Sequence, residues 1–153
     1  MKHWIALASA LAGAALVAVT AATFAFASGA NTGGAAVRIA TSQLGRILVD
    51  NKGITLYDFP PDRGTTSVCY GACAALWPPL LTHGKPVAGP GVRASLLGTT
   101  KRKDGKLQVT YKGHPLYTFL LDKKPGQTAG EGSTNFGAAW YALAPSGATI
   151  DKG

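Results

Sequence analysis

The stretch Tyr57-Asp58-Phe59-Pro60-Pro61-Asp62 returns 60 residues later as Tyr117-Thr118-Phe119-Leu120-Leu121-Asp122. The same shift lays Gly45 on Gly105, Val49 on Val109, Lys52-Gly53 on Lys112-Gly113 and Leu56 on Leu116. Self-similarity at one period marks a tandem repeat, in which each copy is a supersecondary unit that buries its apolar face against the next. In each copy an apolar and β-branched run, Arg46 to Val49 or Lys106 to Tyr111, leads to a second, Ile54 to Phe59 or His114 to Phe119. Turn formers, Asp50-Asn51-Lys52-Gly53 or Lys112-Gly113, stand between them where a hairpin needs positive φ. Each copy therefore reads as a hairpin or three-strand meander. Alternation puts Tyr57 and Phe59 on one face and Leu56 on the other, and does the same for Tyr117, Phe119 and Leu116. Strands apolar on both faces belong inside a packed sheet.

Beyond the hairpins the copies diverge into loops rich in Pro, Gly and Thr, yet each returns to a tryptophan: Ala75-Leu76-Trp77-Pro78 and Ala138-Ala139-Trp140-Tyr141, now 63 apart. A short helix is expected over Gly71 to Leu76, stopped by Pro78-Pro79; a strand is expected over Ala139 to Leu143, and Thr82 to Pro90 reads as loop. The expected fold is mainly β: two tandem hairpin or meander repeats packed into one small domain, with a short helix near the cysteine pair. Repeat 1 is placed at 37–96, repeat 2 at 97–146 and a C-terminal tail at 147–153. Tyr57, Phe59, Trp77, Tyr117, Phe119, Trp140 and Tyr141 are most simply core and inter-repeat packing, because aromatics supply much of the buried area of a small domain. A ligand-stacking face is the alternative.

At the other end of the sequence Lys2 and His3 precede an apolar run from Trp4 to Ala27, and Ala25-Phe26-Ala27 offers the small-x-small triplet that a signal peptidase accepts. Residues 1–27 are read as a signal peptide cleaved after Ala27, with an uncleaved anchor as the alternative, since the run exceeds the roughly 20 residues of a spanning helix. Residues 28–36, small and glycine-rich, read as a flexible leader. The expected location is outside the cytoplasm, periplasmic or extracellular, with no transmembrane segment once the signal is removed. The chain of 153 residues carries 15 Lys and Arg against 7 Asp and Glu. Without Lys2 the excess is +7, a field that favours acidic partners such as an anionic envelope surface. No block of basic residues interleaved with aromatics appears, so a nucleic-acid groove is not expected.

Together with Cys69-Tyr70-Gly71-Ala72-Cys73-Ala74-Ala75-Leu76-Trp77-Pro78-Pro79-Leu80 between them, the two Tyr-Asp blocks resemble a known family. It is the secreted repeat of unknown function found in predicted bacterial lipoproteins with a Y-x-[FWY]-x-x-D motif. The resemblance covers roughly Val37 to Leu143 and implies an exported envelope protein; it brings no catalytic residues with it. The chain departs from the family's lipoproteins in having no cysteine near the end of its apolar run to carry a lipid.

Cys69 and Cys73 are the only cysteines. In an oxidising compartment a local disulfide is the leading reading, with a redox-active pair as the sharper alternative. The spacing lacks the two-residue gap of thioredoxin-like motifs, and two thiolates with only His83 and His114 at hand make a poor metal site. Asp62 and Asp122 stand just where each strand gives way to loop, and an Asp there commonly accepts backbone N–H groups and holds a turn. The functional alternative is a cation site or acid/base pair built from both. His114, beside Pro115, reads as an exposed histidine at a hairpin edge, with a catalytic histidine as the alternative. No G-x-S-x-G, H-E-x-x-H, P-loop or dinucleotide fingerprint is present. The expected function is therefore a non-enzymatic exported binding module without cofactor or metal; the alternative is redox or metal handling by Cys69 and Cys73.

Overall fold

The computed structural model describes residues 33–152, so the expected signal peptide, 1–27, and the first part of the leader lie outside the described residues. The protein is mainly strand, and its two hairpins follow one design. In repeat 1, β1 (Ala36–Ser42) turns back into β2 (Gly45–Val49), pairing Arg38 with Val49 and Ser42 with Gly45. In repeat 2, β6 (Leu97–Lys101) turns into β7 (Leu107–Tyr111), pairing Leu97 with Tyr111 and Lys101 with Leu107. After each hairpin the chain passes a turn into the Tyr-bearing segment: β3 (Tyr57–Asp58) in repeat 1, and β8 (His114–Pro115) followed by an isolated bridge at Tyr117 in repeat 2. The short helix is α1 (Ala72–Leu76), and β9 (Tyr141–Ala142) pairs antiparallel with β3.

Corresponding backbone bonds fix how the copies superpose. Leu48, Leu56 and Leu143 are joined in a ring of three N–H···O bonds, and Val109, Leu116 and Leu80 form the same ring. Leu48, not Val49, thus matches Val109, while the shift of 60 holds from the turn onward. The reason lies in the turns. Val49 bridges to Thr55 across five residues, whereas Thr110 pairs with Pro115 across four. The longer turn is held by Asp50, whose Oδ1 accepts the N–H groups of Lys52 and Ile54. The shorter one puts both Lys112 (φ 50°) and Gly113 (φ 84°) in the left-handed region, as a two-residue hairpin turn requires.

The stretch between the copies, expected as loop, carries two short strands. β4 (Leu81–Thr82) joins the β7 sheet, and β5 (Val87–Ala88) runs parallel to β1. Two-residue strands flanked by Gly, Lys and Pro carry no alternation to read. Of the expected leader, residues 33–36 are paired rather than free: His83 N–H donates to the Gly33 carbonyl (3.2 Å), Ala35 N–H to Thr82 Oγ1 (3.0 Å), and Ala36 opens β1. A Cβ on Gly34 would lie 2.1 Å from the Lys85 carbonyl oxygen, so this close approach needs a glycine. In the tail, Ile150 N–H returns to the Ala142 carbonyl (2.8 Å) and its side chain packs on the aromatic core.

The alternation along the Tyr-bearing strands divides the interior in two. Tyr57, Phe59, Tyr117 and Phe119 point into a core with Trp77, Trp140, Cys69 and Cys73, while Leu56 and Leu116 point into a second core with Val37, Leu48, Val109, Tyr111 and Leu143. Each core draws on both repeats. No helix among the described residues is long and apolar enough to cross a membrane.

Candidate functional site

The repeated Tyr and Asp meet across the two copies. Tyr57 and Tyr117 exchange both backbone bonds, N–H to carbonyl, at 2.8 and 3.0 Å. From this pivot the side chains cross over: Tyr57 Oη donates to Asp122 Oδ2 at 2.6 Å, and Tyr117 Oη to Asp62 Oδ2 at 2.7 Å. The second oxygen of each carboxylate accepts a loop amide, Val68 N–H at Asp62 and Ala129 N–H at Asp122. Each motif's Tyr therefore holds the loop of the other motif, an approximate twofold relation. Burial raises both carboxyls above the ordinary carboxylate range, although the tyrosine and amide donors pull the other way. Burial also raises the Tyr57 and Tyr117 hydroxyls, and their partner carboxylates add to the rise.

The rings follow the same exchange. Phe59 stacks on Trp140 (4.1 Å between centroids), Trp140 on Trp77 (4.0 Å, 2° between planes) and Trp77 on Phe119 (4.3 Å). Tyr57 and Tyr117 meet the edges of Trp77 and Trp140 at 5.3 and 5.2 Å. All six rings are buried, so they form an interior column and offer no face to a ligand. Gly130 is required here, because a Cβ would lie 2.7 Å from Trp77.

Cys69 and Cys73 form a disulfide, with Cα atoms 5.3 Å apart, that ties α1 to the loop before it. Both cysteines are buried. The sequence reading missed what holds this loop from the other repeat. Arg102, 4% exposed, donates from Nη2 to the Cys69 carbonyl (2.7 Å) and from Nη1 to Ser67 Oγ (2.9 Å) and Gln108 Oε1 (2.7 Å). Tyr117 Oη lies 2.7 Å from the same Ser67 hydroxyl. A run of basic residues gave no sign that one of them is buried.

The arrangement with chemical capacity is one the repeat pattern does not predict. A cleft of about 440 Å³ opens between the copies, lined among others by Asp58, Phe59, Asp62, Lys112, His114 and Tyr141. Asp58 follows Tyr57 on β3 and pairs with Tyr141 of β9; His114 sits directly after the Lys112-Gly113 turn. His114 Nδ1 lies 3.3 Å from Asp58 Oδ2, with the imidazole half-exposed and the carboxylate buried. The hydrogen bond to Asp58 raises the His114 pKa above its usual value, while partial burial opposes the rise. By the equivalence of the copies, Asp58 corresponds to Thr118 and His114 to Ile54, so the pair occurs once.

Among the described residues, the buried side-chain polar atoms without a hydrogen-bond partner are Asp58 Oδ1, Trp77 Nε1, Arg102 Nε and Glu131 Oε1. Arg102 Nε has Asp104 at 3.8 Å, and Glu131 belongs to a separate cleft on the other side of Tyr141. Asp58 Oδ1 is thus the unmatched acceptor at the cleft. Of the residues singled out from sequence, Phe59, Asp62, His114 and Tyr141 reach this cleft; Trp77, Trp140, Phe119 and Asp122 do not. No group of three or more His, Cys, Asp or Glu that could hold a metal occurs among the described residues.

Comparison with curated proteins and with solved structures finds no match. The family described as a secreted repeat of unknown function matches twice, over residues 38–81 and 98–144, spanning both hairpins and both Tyr-bearing segments. With both copies matched over more than half of its length, the chain belongs to the family of the secreted repeat of unknown function.

Proposed function

We propose that this protein is an exported, non-enzymatic binding module of the cell envelope or its exterior, and that its ligand sits in the Asp58–His114 cleft. The observation that carries the reading is the Asp58 carboxylate: buried, bonded through one oxygen to a half-exposed imidazole, and unmatched at the other. A buried acceptor without a donor costs about 1–3 kcal/mol, so a fold that keeps one at a cleft is suited to a ligand that supplies the donor. The matching ligand is small and carries an ammonium, guanidinium or other hydrogen-bond donor. His114, as the half-exposed member, is the side chain that must turn to admit it. Around this local acid the domain is basic overall, which supports attraction to anionic material outside the cell.

The redox alternative finds less support. Thiol exchange requires an incoming thiolate to reach a disulfide sulfur, and both cysteines are buried beneath the Arg102 and α1 contacts. A disulfide also leaves no thiolate for a metal.

The test is an amide-resolved NMR titration with methylammonium, guanidinium and calcium salts. Shifts centred on Asp58, His114 and Tyr141 that disappear in Asp58→Asn while the remaining spectrum is preserved are the expected result. Shifts confined to other surfaces would remove the cleft from consideration. Turnover in hydrolase or oxidoreductase screens, lost on Asp58→Asn or His114→Gln, would make the protein an enzyme.

A further inference from the structure

Leu120 and Leu121 replace Pro60 and Pro61 of the first motif, and they are 48% and 56% exposed. Neither side chain belongs to either core. Leu120 is fixed by its backbone, its N–H donating to the Leu76 carbonyl (2.9 Å), and the turn that follows is built tightly. Asp122 points inward to Tyr57, and the N–H groups of Lys123 and Lys124 both donate to Gln127 Oε1. The two leucines are therefore presented outward by a loop tied down through Leu120, Asp122 and Gln127.

The charge beside them has one sign. Lys123 and Lys124 are exposed, and the next residues, Pro125 and Gly126, rest on the repeat-1 turn: Gly126 N–H donates to the Gly53 carbonyl (3.1 Å), and a Cβ on Gly53 would meet Pro125 at 2.9 Å. That contact brings exposed Lys52 alongside. The acids of these two turns are turned away: Asp122 is occupied by Tyr57 and Ala129, and buried Asp50 caps its own turn. The result is a hydrogen-bonded lip with two leucines at its edge and three lysines behind them.

We propose that this lip docks on an anionic lipid bilayer, the leucines entering the headgroup–acyl boundary and the lysines meeting the phosphates. Charge complementarity selects the occupant, because binding of this kind adds buried apolar area to attraction for anionic headgroups. A soluble wall polymer would match the lysines and leave the leucines unused. The lip shares no residue with the Asp58–His114 cleft, so either can fail without the other.

The test is hydrogen exchange on the exported full chain, with and without phosphatidylglycerol vesicles, phosphatidylcholine vesicles and soluble polyglutamate. The expected result is slowed exchange over 118–126 and 51–53 with phosphatidylglycerol vesicles alone, weakened by salt. Substituting Leu120→Ser and Leu121→Ser is expected to weaken this protection about tenfold, and each Lys→Gln about fivefold. Protection that survives both leucine substitutions, equal protection by polyglutamate, or vesicle association that leaves these amides unchanged would each overturn the proposal.

Discussion

Tyr57 and Tyr117 each do two things at one position: the backbone joins the copies and the hydroxyl ties down the opposite loop. Removing a hydroxyl strips a buried (Asp122) or part-buried (Asp62) carboxylate of a donor, so Tyr57→Phe and Tyr117→Phe should each cost about 1–3 kcal/mol in denaturant unfolding. Tyr117→Phe also removes one of two contacts of the Ser67 hydroxyl, the other being with Arg102. His114 yields a pH prediction. Its folded pKa is raised above the unfolded value of about 6.5. The stability from the Asp58 pair is therefore complete below that value and is lost as pH rises through the folded pKa. NMR titration should place His114 above its usual value, and Asp58→Asn should bring it down. The carboxyls of Asp62 and Asp122, also raised, bind protons more firmly folded than unfolded. Protonating them between their folded and unfolded values favours the native state, so they do not drive acid unfolding. The sequence showed these two aspartates as equivalents but not their crossed partners, because contacts at separations of 65 and 55 residues are set by packing. Asp58 was invisible for the opposite reason: it breaks the repeat.

At the level of elements, β2, β7 and the turns that follow them were legible because two-residue alternation and turn chemistry are local, whereas β1 and β6 lie outside the runs and the Tyr-bearing runs hold only the two-residue β3 and β8. What local patterns did not carry was the one-residue difference between the two turns, or β5, which exists only because β1 lies beside it. Helix α1, at five residues, is far below the length at which a helix persists alone. The disulfide and Arg102 hold it. Closing so short a loop removes little chain entropy, and Cys69→Ser with Cys73→Ser is expected to cost about 2 kcal/mol. Hydrogen exchange should show fraying confined to α1 and the loop before it, with β2 and β7 protected as before. Loss of the whole sheet would mean that the bond does more than pin one turn.

For the molecule as a whole, the ring column decides cooperativity. Phe59–Trp140–Trp77–Phe119 alternates between the copies, so neither copy can complete its core alone. Trp140→Ala should cost about 3–5 kcal/mol and lower a single unfolding transition seen equally by probes in either half; two separate transitions would show that the repeats are independent. Sequence reading anticipated that these aromatics pack between repeats but not their order in the column, which depends on the twofold exchange. That exchange also bears on how the cleft arose. Were the same unit present as two identical polypeptides, any side chain gained at one junction would be forced on the other as well. Covalent fusion lifts the constraint: Asp58 with His114 could arise at one seam while Thr118 and Ile54 kept the opposite seam inert, so a duplicated scaffold can hold one site instead of two.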